Sequence, residues 1–157
     1  MAEPSLRLIE ALRQTADRLD GGAPYRWTHM GSCNCGHLVQ TVTNKTAAEI
    51  HARALEKAGD WSAQAIDHCP TSGLTIDHII DALLGLGLGR SDIVELERLG
   101  SRRVRQRLDG EVSHKRRSDV VRYMRAWAVL LEEELAEQIA AVGQGGTVRK
   151  APVLSRT

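Results

Sequence analysis

Val120, Met124, Trp127, Leu131, Leu135 and Ile139 follow one another at steps of three or four residues, and this run constrains the fold more than any other feature. The spacing predicts an amphipathic helix of about six turns, with Ser118 as its N-cap. So long an apolar stripe must be covered by other helices, and the remaining sequence supplies candidates. Leu6, Ile9, Leu12, Ala16 and Leu19 give a first helix that Gly21-Gly22 stops. A second starts near Asn34 and carries Leu38, Val39 and Val42. Thr46 and Glu49 form a capping box for a third, with Ile50, Ala54, Leu55 and Ala58 on one face and Gly59 as its stop.

Asp60 can open a fourth helix through Trp61 and Ile66, which Pro70 ends because proline lacks an amide proton. Ile76, Ile79, Ile80, Leu83 and Leu84 predict a fifth, running into GLGLG. The glycines at 85, 87 and 89 do not have GxGxxG spacing and follow no strand, so they read as a helix stop with a flexible link. Ser91 would cap the next helix, with Ile93, Leu96 and Leu99 inward, and a short basic helix would run from Arg102 to Leu108 before Asp109-Gly110 breaks it.

No segment shows sustained period-2 alternation. The class is all-α: a single compact bundle of about six or seven helices over residues 1–142, its long last helix packed on the first helix and on Ile76–Leu84. Residues 143–157, without period and rich in small residues, are expected to form a mobile tail. With 157 residues and no phenylalanine, the core must be mostly Leu, Ile, Val and Ala. Trp27, Trp61 and Trp127 would be its large pieces, and His78, near an apolar stripe, reads as a structural histidine.

Chemistry concentrates in GSCNCGHL, residues 31–38. Cys33, Cys35 and His37 place three soft or borderline donors within five residues, and Cys69 could complete a tetrahedral set from the elbow before Pro70. The leading expectation is a transition-metal site of Cys33, Cys35, His37 and Cys69, for zinc or iron, whose role could be structural, catalytic or sensory; His29 and His68 are further candidates. The spacing is neither the CxxC zinc knuckle nor the CxxCH of haem attachment. With an odd number of cysteines and a Cys33/Cys35 spacing too short for an easy bridge, reduced thiols or metal ligands are the expected states.

The alternative expectation is thiol chemistry. A cysteine in the first turn of a helix gains from the positive end of the dipole, so Cys35 could be a nucleophile with His68 as a remote base. APYRW followed by CNCGHLVQ also resembles the opening of the NlpC-type cysteine peptidases, where PYxWGG leads to a DCSGLVQ-like nucleophile helix. The resemblance spans residues 23–40 and implies Cys35 as nucleophile. Asn34 replaces the acidic residue and Gly36-His37 replaces Ser-Gly, and that family's base histidine lies on a following β-sheet.

A third expectation concerns the segment 98–125, which holds ten Arg or Lys against three acids. Arg102, Arg103, Arg105, Lys115, Arg116 and Arg117 could contact phosphates of a nucleic acid. SDIVELERLGSRRVRQRL places Ile93, Leu99 and Val104 where a helix-turn-helix wants apolar residues. In that register, however, Glu97 falls on a core position, Arg98 on the turn glycine and Arg107 on a buried site. The competing expectation is a solvated basic face beside the acidic run Glu132-Glu133-Glu134. A formal charge of +1 provides no global attraction to polyanions. No apolar run is long enough to span a bilayer and no signal-peptide core opens the chain, so a cytoplasmic location without membrane contact is expected.

Overall fold

Ser5 is the N-cap of the first helix: its backbone is extended and its Oγ accepts the Leu8 N–H at 3.2 Å, satisfying one of the unpaired amides of a helix start. The computed structural model describes residues 2–27, 29, 31–58 and 77–144. Among them are seven helices and no strand: α1 Leu6–Asp20, α2 Asn34–Thr43, α3 Ala47–Ala58, α4 Asp77–Gly85, α5 Arg90–Arg98, α6 Arg102–Arg105 and α7 Arg117–Gln144. The class is therefore all-α with a long C-terminal helix. The expected Asp60–Ile66 helix, Trp61, His68, Cys69 and the tail from residue 145 onward lie outside the described residues, as do the side chains of Ala54, Leu55, Ala58 and His78.

The α1–α7 pair is the main contact between elements. Leu8, Leu12, Ala16 and Leu19 of α1 and Val120, Met124, Trp127 and Leu131 of α7 are buried along it. Surface ion pairs run beside the seam, with Arg13 to Glu132 at 2.7 Å and Arg125 to Asp17 and Asp20 at 2.9 and 3.1 Å. Such exposed pairs set register more than they stabilise. The inward stripe of α7 is shorter than its periodicity suggests. Leu135 is only half-buried and Ile139 is 66% exposed, so the last turns of α7 bury little apolar surface against the described residues.

The short helices pack behind α1. α2 touches α1, α3, α4 and α5, and α4 packs on α2, α3 and α5 instead of on α7 as expected. GLGLG is also more structured than a flexible link. Leu86 and Leu88 are buried, Gly87 takes φ +102°, and its carbonyl accepts the Glu3 N–H at 2.9 Å.

Two helix starts differ from expectation. Neither Ser91 nor Ser118 is the N-cap: α5 begins at Arg90 and α7 at Arg117, so each serine lies inside the first turn, and the aspartate after it makes a charge-assisted bond to an amide upstream of the serine. Asp92 Oδ2 accepts the Gly89 N–H at 2.7 Å, and Asp119 Oδ2 accepts the Ser113 N–H at 2.9 Å. Asp119 also pairs with Arg116 at 2.8 Å and Arg122 at 3.2 Å. Burial pushes its pKa up, but the Ser113 amide and the two arginines outweigh that and hold the carboxyl below its ordinary value. A depressed carboxyl stabilises the fold above its unfolded pKa and loses that contribution as pH falls through its folded pKa. We expect Asp119→Asn to cost about 1 kcal/mol at neutral pH. The gap from wild type should close as urea unfolding is repeated below about pH 4.

Candidate functional site

The loop from Gly21 to Cys33 is closed by its own backbone. Arg26 N–H reaches Ser32 O at 3.1 Å, and the Ser32 and Cys33 N–H groups both reach His29 O at 2.8 Å. This delivers Cys33 as the N-cap of α2, extended, with its Sγ accepting the Gly36 N–H at 3.4 Å. Both thiols are buried and neither is disulfide-bonded. Cys35 takes the second helical position, where its N–H donates to Glu97 Oε2 at 3.1 Å and its thiol approaches Ile93 O at 3.7 Å.

Glu97 is the residue that the cysteine motif alone does not disclose. It lies on the inner face of α5, 9% exposed, with its carboxyl group buried. Burial pushes its pKa up, opposed by hydrogen bonding from the Cys35 thiol and amide and from the Cys33 thiol. Both thiols therefore face the carboxyl group. A polar framework holds the pair of helices in place. Asn34 Nδ2 donates to Leu96 O and Glu97 O, each at 2.9 Å, and Trp27 Nε1 donates to Glu97 O at 3.3 Å. The Tyr25 hydroxyl lies between Asn34 Oδ1, at 2.6 Å, and His114 O. Burial, with lesser contributions from Glu97, Cys33 and Cys35, raises the Tyr25 pKa far above its ordinary value, so it remains a donor.

His37 does not share this cluster. Its Nε2 bonds to Pro24 O at 2.8 Å and its Nδ1 to an Arg18 Nη at 3.1 Å. Arginine only donates, so Nδ1 accepts and Nε2 carries the proton, giving a neutral ring. Burial lowers its pKa in the same direction. His29 stacks on His51 at 4.1 Å between ring centroids, and His114 lies under Trp27 at 4.3 Å. The structure therefore joins Cys33 and Cys35 to Glu97, while His37 is committed to the loop. Cys69 and His68 lie outside the described residues. Among the described residues, no three His, Cys, Asp or Glu side chains stand in a ligating arrangement.

The basic segment meets the acidic run of its own chain. Arg103 pairs with Glu134 and Arg107 with Glu133, while Arg116 is held by Asp119. α6, carrying Arg102, Arg103 and Arg105, is a single turn of four residues, shorter than the recognition helix that a groove-reading motif presents. Lys115 and Arg117 are exposed on either side of the α7 start.

The class defined by these features is an all-α chain with a buried thiol–carboxylate cluster at one helix start. No protein-family model matches the chain, and no match is found among curated proteins or solved structures. The resemblance to NlpC-type peptidases gains no support: no family model matches, and among the described residues no strand follows α2. Nor is any described helix long and apolar enough to cross a membrane.

Proposed function

We propose that the start of α2 is a transition-metal centre in which Cys33 and Cys35 bind as thiolates, Glu97 supplies a carboxylate oxygen, and Cys69 completes the set. The observation carrying this reading is the buried Glu97 carboxyl set against two buried thiols at a helix N-terminus. Two sulfurs and a carboxylate suit zinc or iron. A metal ion would also compensate the burial of an acidic group that otherwise lacks a counter-charge. Ligation would require the Cys33 sulfur to leave the Gly36 amide and both thiols to lose protons, so affinity should fall at acid pH. Burial of both sulfurs favours a closed centre over the alternative in which Cys35 is an open nucleophile.

The test is metal content by plasma mass spectrometry on untagged protein prepared without chelator, with thiols titrated before and after denaturation. The expected result is about one zinc or iron per chain and thiols that react only after unfolding. Cys33→Ser, Cys35→Ser and Cys69→Ser should each lower metal content and thermal stability together. Metal-free protein with one rapidly alkylated thiol would replace this reading with a Cys35 nucleophile.

A further inference from the structure

Two adjoining clefts of about 390 and 450 Å³ lie between the end of α1, the 21–33 loop and the start of α3, sharing Pro24, Ser32 and Ala47 as a common wall. Arg18 and Gln40 line the first, Arg26 and His29 the second, and among the described residues no aspartate or glutamate lines either. Six arginines elsewhere, Arg13, Arg103, Arg107, Arg116, Arg122 and Arg125, pair with carboxylates, whereas Arg18 and Arg26, like Arg7, Arg98, Arg102, Arg105 and Arg117, form no ion pair with a described residue. What distinguishes Arg18 among these is its partial burial at a cleft.

Arg18 is the more informative of the two. Its Nη2 is anchored to His37 Nδ1 at 3.1 Å and His37 O at 3.2 Å, while its Nη1 has only Gln40 Oε1 at 3.5 Å, the limit of a hydrogen bond. Its Nε is buried without a partner, and burial lowers the guanidinium pKa. A cation that loses hydration and gains no counter-charge is costly unless something else supplies the charge. The α1 C-terminus offers part of that compensation, since Arg18 sits in the last turn. The weakly engaged Nη1, at a cleft that no described acid lines, leaves the remainder to a ligand.

We propose that this double cleft binds a small, doubly charged oxyanion, a phosphate group, seated on Arg18 Nη1 with Arg26 as the second cation across the Ser32 wall. The guanidinium fork supplies directional donors that suit phosphate oxygens. Ser32 and Gln40 add polar groups around it, and the Pro24 and Ala47 side chains leave room for a small apolar body. This site is separate from the thiol–carboxylate cluster, so its fate is independent of the metal reading.

The probe is inorganic phosphate, titrated into full-length protein at low ionic strength and followed by amide NMR shifts, with acetate as the singly charged comparison. Saturable shifts centred on Gly31, Ser32 and Gln40, with a Kd in the low millimolar range or tighter, are expected. Arg18→Gln should weaken phosphate at least tenfold and Arg26→Gln several-fold, with helical circular dichroism unchanged. Arg7→Gln, on the same helix away from the cleft, should have no effect. Undiminished phosphate binding by Arg18→Gln, equal binding of acetate, or no saturable shift would overturn the proposal.

Discussion

Replacing Asn34 with alanine is expected to lower the unfolding free energy by about 3 kcal/mol, since each buried partner left unsatisfied costs roughly 1–3 kcal/mol. Asn34 is fully buried. Its amide bonds to two consecutive carbonyls near the end of α5, Leu96 O and Glu97 O, while its Oδ1 accepts from Tyr25. Alanine removes both donors and the acceptor together and admits no water in their place. Glu97 O retains Trp27 Nε1 and Leu96 O retains the Leu99 N–H, which keeps the cost below that of two wholly orphaned carbonyls. Urea unfolding monitored at constant m-value is the measurement. Tyr25→Phe should cost less alone and add little to Asn34→Ala, because the two share one bond. A loss below about 1 kcal/mol would mean that the amide does not tie α2 to α5.

The second large effect is expected at Gly31. A Cβ there would stand 2.0 Å from Ala47 O and 2.7 Å from Ala47 C and Cα, contacts with backbone that no rotamer change relieves. Gly31→Ala must therefore move the loop off the start of α3, at a cost of about 3 kcal/mol, the upper range for overpacking. The loop carries Cys33 and contributes Gly31 O to the Gln40 side chain, so the displacement should also disturb the thiol cluster and the phosphate cleft. Gly85 provides the contrast: nothing lies within 4 Å of its Cβ position and its φ is not positive. Gly85→Ala should be neutral or stabilising by about 0.5 kcal/mol through the unfolded chain. Thermal unfolding of the two variants side by side separates close approach from a general effect of glycine.

Much of the helix pattern was legible because it is local. The reciprocal Thr46–Glu49 box depends on side chains and amides within one turn and occurs as the spacing predicts. Neither Ser91 nor Ser118 is a cap, because each helix begins one residue before its serine and the following aspartate ties the helix start to an upstream amide. The length of the buried face of α7 was misjudged for another reason. Periodicity shows that Ile139 shares a face with Leu131, but it does not show which turns are covered, and Leu131 is buried while Ile139 is exposed.

The candidate site divides in the same way. Sequence singled out Cys33 and Cys35, and it marked Glu97 as a charge on an apolar register without giving a reason. The reason is a contact between residues 62 apart: the α5 carboxylate accepts an amide at the start of α2. His37 stands beside the cysteines in sequence, yet a helical turn directs its ring to Pro24 and Arg18. By itself the sequence determined the all-α class, the long last helix and the helix starts governed by nearest neighbours, because these follow from local hydrogen bonding and from which face is apolar. Only the tertiary structure decided that the group beside the thiols is Glu97 and that Arg18 borders a cleft lined by no described acid, because both depend on which distant helix ends burial brings together.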